Sequence, residues 1–208
     1  MKNINNYITE KLYLNKDIKV KTYNYHPKDK KELKSLIENL LKERGEDADL
    51  NDIDVSRITD MSNLFKFLKP HNIDISEWDV SKVTDMCEMF YWCENFNSDL
   101  SRWDVSNVEM MIRMFDGCEN FNSDLSKWDV SSVINMMQMF EGCKKFKSDL
   151  SDWDVSNVKN IMYMFNKCGR FKCDLNNWNI TNDVYMTGAF NNCRSLKNKP
   201  SWYNPHQI

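Results

Sequence analysis

Five cysteines stand 25 residues apart along the chain: Cys93, Cys118, Cys143, Cys168 and Cys193. Thiolates do two kinds of chemistry, metal ligation and redox exchange. Zinc needs its ligands converging as a tetrahedron, usually from closely spaced pairs. A ladder at a fixed repeat instead sets sulfur atoms in a row, roughly 5 Å apart if they lie on neighbouring strands. A buried cysteine also packs as a small hydrophobe. Core packing is therefore expected, with no metal site. Cys87 and Cys173 lie off this ladder and are the expected reactive thiols, although neither has a histidine near it in sequence.

Aspartates form two further ladders, Asp54, Asp79, Asp104, Asp129, Asp154 and Asp74, Asp99, Asp124, Asp149, Asp174. Stacked carboxylates repel, so each is expected to accept hydrogen bonds from turn backbone or a helix start. Calcium is the alternative chemistry, because rows of hard oxygen ligands can hold it, but glycine-rich calcium loops are absent. His26, His71 and His206 are far apart. No Ser/His/Asp or Cys/His pairing, phosphate loop or dinucleotide fingerprint is present. The reading is a non-enzyme with no cofactor.

Charge separates the repeats. Residues 51–140 carry 16 Asp and Glu against 7 Lys and Arg, net −9, whereas residues 141–208 are +4 and residues 1–50 are +2. The total of −3 hides this polarity. The switch is sharpest just after each cysteine. There the units read Glu94-Asn95-Phe96-Asn97, Glu119-Asn120-Phe121-Asn122, Lys144-Lys145-Phe146-Lys147, Gly169-Arg170-Phe171-Lys172 and Arg194-Ser195-Leu196-Lys197. Stacking is expected to gather Lys144, Lys145, Lys147, Arg170, Lys172, Arg194, Lys197 and Lys199 into one basic ridge, continued by an acidic patch at Glu94 and Glu119. The apolar anchor stays constant while its neighbours change sign, so core packing does not require the change. An electrostatic docking surface is one explanation and solvated drift is the other. Tyr91, Trp92, Tyr163 and Tyr185 do not recur in step and are candidate binding anchors.

The element pattern that must position these residues is set by tryptophan: Trp78, Trp103, Trp128, Trp153 and Trp178 share the 25-residue period. Such a period marks a repeat array. In the unit beginning at Trp103, Trp103 and Val105 fit a short strand. Ser106 and Glu109 have capping-box spacing. Val108, Met111, Phe115 and Cys118 then follow at helical steps. The fold expected is an α/β solenoid of leucine-rich-repeat type, with six strand–helix coils over 53–202, a parallel sheet, and a short tail at 203–208. Residues 1–52 are expected to form an N-terminal strand–helix cap. Its strand is Ile18–Tyr25, and its helix runs from Asp29 to Arg44 on the stripe Leu33, Leu36, Ile37, Leu40, Leu41, ended by Gly45.

The units WDVSKVTDMCEMFYWCENFNSDLS and WDVSNVEMMIRMFDGCENFNSDLS closely resemble the repeat of the BspA-like bacterial family. The resemblance implies a leucine-rich-repeat-like fold used for binding, with no catalytic residues. Many members are surface adhesins. No signal-like or membrane-spanning run is visible here, so a cytoplasmic location is expected. Small leaderless members look like bacterial or phage proteins, which implies an inhibitor that blocks a host defence protein. The function expected is a non-catalytic protein-binding module. The alternatives are nucleic-acid binding through the Lys/Arg ridge and an adhesin fragment.

Overall fold

The computed structural model describes residues 21–68 and 70–207. Its one α-helix among these is α1 (Lys30–Arg44). Asp29 caps it, accepting from the Glu32 N–H at 2.8 Å, and Gly45 ends it at φ 89°. Leu33, Ile37 and Leu40 are buried against the first coil. The helix expected in the cap is thus present. The cap strand is not, among the described residues: Tyr25 makes an isolated parallel bridge to Ile53, and Ile18, Lys19 and Val20 lie outside the described residues.

After the helix the chain winds in 25-residue coils that stack in register. Isolated parallel bridges join Asp60, Asp85, Met110, Asn135, Asn160 and Tyr185 in succession. The expected α/β solenoid with a parallel sheet does not form. Among the described residues there is no strand, and no coil contains a helix.

The reason lies in where the backbone N–H groups point. In the first coil, Met61, Asn63, Phe65 and Phe67 donate to carbonyls of the next coil at Asp85, Cys87, Met89 and Tyr91. The N–H groups between them turn inward, Leu64 to Met61, Lys66 to Asn63 and Leu68 to Phe65. The same alternation recurs in the following coils. A helix would send each N–H four residues back, and a strand would keep successive residues extended. This chain does neither. It closes tight turns and bridges coils by alternate residues.

Two left-handed residues per coil make that path possible. One column is Asn63, Glu88, Arg113, Gln138, Tyr163 and Gly188, with φ between 53° and 69°. The other is Phe67, Trp92, Gly117, Gly142, Lys167 and Asn192, between 58° and 79°. Ser106, read as a helix cap, donates instead through its N–H and hydroxyl to the Asp104 carboxylate at 3.1 and 2.6 Å. The buried residues keep their three-and-four spacing because each turn closes over three residues.

The core is a set of side-chain columns. Phe65, Phe90, Phe115, Phe140, Phe165 and Phe190 stack at 5.2–5.7 Å with nearly parallel rings. Phe96, Phe121, Phe146 and Phe171 form a second column at 5.8–6.1 Å. Each such ring is fully buried, contributing about 1.5–3 kcal/mol by burial. The tryptophans form a third column, each indole N–H bonding a carbonyl of a neighbouring coil, as Trp128 does with Leu100 at 2.9 Å. Trp202 continues that column, stacking on Trp178 at 6.1 Å and donating to Leu175. The residues after it therefore begin another coil path, with the Met186 N–H reaching the Gln207 carbonyl.

Candidate functional site

The cysteine ladder is core. Cys93, Cys118, Cys143, Cys168 and Cys193 are buried, and each Sγ donates to a phenylalanine carbonyl of the preceding coil at 2.8–3.1 Å. Burial raises the Cys118, Cys143 and Cys168 thiols well above their usual range. Cys87 and Cys173, expected to be the reactive pair, are likewise pushed up to about 12, chiefly by burial. Cys173 fills the place of Ser123 and Ser148, accepting the Leu150 N–H. Thiolate chemistry at neutral pH is disfavoured at both.

The aspartate ladders hold turns. Asp99, Asp124 and Asp149 accept the N–H of Ser101, Ser126 and Ser151, which holds their carboxyls below the usual range. Asp129 and Asp154 are lowered first by the hydroxyls of Ser131 and Ser156 and then by their N–H groups. Among the described residues no group of three His, Cys, Asp or Glu side chains converges to hold a metal ion.

The basic column borders two grooves. Lys145, Lys147 and Arg170 line an open groove of about 380 Å³ across the coils, continuing through Asn120 and Asn122, Asn95 and Asn97, to Asn72 and His71. Lys172 and Lys197 line a different groove, beside Cys173, Asp174 and Pro200. Lys144 pairs with Glu119 at 2.6 Å, and the Lys199 ammonium sits 4.9 Å from the Tyr203 ring centre. Arg194 and Glu94 are exposed.

Asparagine geometry sets what the first groove presents. The Asn97 carboxamide oxygen accepts the Asn122 N–H at 2.8 Å, and that of Asn122 accepts the Lys147 N–H at 3.0 Å. Asn120 donates to the Asn95 oxygen at 3.1 Å. Each of those oxygens has one lone pair taken, so the Asn97 and Asn122 carboxamides offer a ligand mainly their amide donors, while the Asn72 and Asn120 oxygens remain acceptors. Every lining side chain is an amide, an imidazole or a cation.

The aromatic candidates separate as well. Tyr91 and Trp92 join Phe67, which the sequence reading did not single out. Phe67 packs edge-on against Tyr91 at 5.5 Å, and Trp92 lies 6.3 Å beyond. Phe67 is 59% exposed and Trp92 48%. Lys66 lies 5.3 Å from the Phe67 ring centre and 5.0 Å from that of Tyr91, while Arg113 lies 5.9 Å from Tyr91. Lys66 also pairs with Glu88. Trp92 leans on the next coil, where a Cβ on Gly117 would meet it at 3.3 Å. The missed signal was the column itself: Phe67 and Trp92 stand where the following coils have Gly117 and Gly142.

Tyr163 is half-buried. Its ring crosses Gly188, where a Cβ would come within 2.4 Å. Tyr185 is 48% exposed but belongs to a different column.

Beside the aromatic cluster, Asp116 is 8% exposed. Burial, followed by the Glu141 charge, pushes its carboxyl up to about 7, with Arg113 and Lys167 opposing and Glu88 adding to the rise.

No helix among the described residues is long and apolar enough to cross a membrane. No curated protein and no solved structure matches the chain. Residues 31–132 and 101–204 match the family described as Mycoplasma protein of unknown function, DUF285. These two overlapping stretches run through the helix and nearly all the coils, so the chain belongs to the DUF285 family.

Proposed function

We propose that this chain is a non-catalytic protein-binding module whose anchor is the Phe67–Tyr91–Trp92 cluster. The observation that carries the reading is the exposure of two large rings on the left-handed column. Phe67 and Trp92 hold left-handed φ values of 63° and 58° while presenting large, half-exposed rings. A left-handed L-residue costs about 1–2 kcal/mol, and the same column uses glycine in the next two coils. Every coil needs a left-handed residue at this place, and Lys167 and Asn192 also fill it, so the path leaves the side chain open to choice, and large rings that face water here add little to core packing. Exposed aromatics beside a cation are the usual anchors of protein interfaces. The likeness of the repeat to the BspA-like family supports a binding role.

The test is affinity capture from native host lysate with quantitative mass spectrometry, comparing the parent with a Phe67→Ala, Trp92→Gly double variant. Glycine keeps the left-handed backbone and removes the ring. The expected result is loss of a specific protein with the fold intact. Equal recovery with both baits refutes the reading.

A further inference from the structure

Resting on the protein-binding reading above, we infer that the groove running from Asn97 to Arg170 takes an extended acidic segment of the partner protein. The groove offers donors along its length, with the Asn72 and Asn120 oxygens as acceptors beside them. At one end the donors are the neutral amides of Asn97 and Asn122, whose oxygens are held by backbone N–H groups. At the other they are Lys145, Lys147 and Arg170. A matching ligand therefore brings both acceptors and donors at the amide end and negative charge at the other end only.

An extended peptide fits that gradient. Its carbonyls can meet the amides and its carboxylates the cations. Alternate residues of a strand repeat every ~6.6 Å. The coils under the groove are joined backbone to backbone, the Asn120 N–H to the Glu94 carbonyl at 3.1 Å and the Lys145 N–H to the Glu119 carbonyl at 3.2 Å, which spaces them about 4.8 Å apart. The mismatch stays within the reach of lysine side chains over three steps. A nucleic acid fits less well. Its phosphates are uniformly charged, whereas half of this groove is neutral and Glu119 already holds Lys144 beside it. Single-stranded nucleic acid also binds by stacking bases on aromatic rings, and the groove wall has none beyond the imidazole of His71.

The test is fluorescence anisotropy at about 50 mM salt, where surface charges are weakly screened. The probes are a labelled peptide of alternating Gly and Ser followed by alternating Gly and Glu, its Glu→Gln analogue, and a short oligo-uridylate. The acidic peptide should saturate and bind about tenfold more tightly than the Gln analogue. A Lys145→Gln, Lys147→Gln, Arg170→Gln variant should abolish that difference. Asn122→Asp keeps the oxygen that accepts the Lys147 N–H but replaces the donor, so it should weaken both peptides. Equal binding of the two peptides, tighter binding of oligo-uridylate, or no saturation overturns the inference. If the peptide fails while Trp92-dependent capture persists, only the groove assignment falls. If capture does not depend on Trp92 while the peptide binds, the anchor reading falls instead.

Discussion

Replacing Gly142 by alanine tests the turn ladder, because a helix and a left-handed turn predict opposite signs. Gly142 has φ 73°. A Cβ there would meet only the Gly117 backbone, at 3.7 Å, an ordinary contact. No side chain has to move, so the change reads the backbone alone. A left-handed alanine costs about 1–2 kcal/mol. The lower entropy of the unfolded alanine chain returns about 0.5 kcal/mol. The net expectation is a loss of about 1 kcal/mol, lowering Tm by about 2–4 °C for a chain of this size. In a helix interior the same substitution would gain about 1 kcal/mol. Lys167→Gly is the mirror experiment in the same column, at φ 62°. It removes an exposed pair with Glu141 at 3.6 Å, worth at most about 1 kcal/mol, and relieves a left-handed residue. It should be neutral or stabilising. Urea titration gives both values from midpoint shifts at constant slope. A Gly142→Ala protein more stable than its parent would refute the turn ladder.

Two further outcomes follow from the core and from Asp116. Trp128→Ala should cost about 3–5 kcal/mol as a core truncation, since Trp128 is 3% exposed, stacks on Trp153 at 6.5 Å and satisfies the Leu100 carbonyl; an unchanged Tm in calorimetry would remove it from the core. Asp116, with its carboxyl raised to about 7, keeps a proton that the unfolded chain releases near pH 4. The folded state therefore binds more protons in that window, and this group's contribution to stability falls as pH rises from about 4 to 7. Asp116→Asn should flatten that decline in urea midpoints measured across the window, and an unaltered slope would show that Asp116 does not titrate there.

The period, the cap helix and the buried columns were legible because burial leaves a direct trace in residue type. Trp103, Val108, Phe115 and Cys118 read as core, and they are core. The local backbone was not legible, because turns closing over three residues reproduce the apolar spacing of a helix. What separated the two was left-handed φ, and a column of Asn, Glu, Arg, Gln and Tyr hides it. Only Gly117 and Gly142 hinted at it in the other column. That same column held Phe67, lost to the sequence reading because its coil departs most from the repeat. Which lysines of the basic column line the groove was not legible, because lysines adjacent in a loop, such as Lys144 and Lys145, serve different neighbours.

The switch from asparagine to lysine in the groove carries a structural cost, and that cost bears on its meaning. Asn97 and Asn122 each accept an N–H from the following coil. Lys147 has no carboxamide oxygen, so it cannot do the same for Lys172. Among the described residues no acceptor pairs with the Lys172 N–H. A hydrogen bond worth about 0.5–1.5 kcal/mol is forgone at that step. Drift on a solvated surface would be free to change Glu94 or Glu119, whose side chains hold no backbone. Giving up a ladder bond to place Lys147 next to Lys145 and Arg170 is a different event. It resembles Phe67 and Trp92, where a left-handed position that other coils fill with glycine, lysine or asparagine carries an exposed ring. At both places the exposed face departs from what the stack would choose for itself.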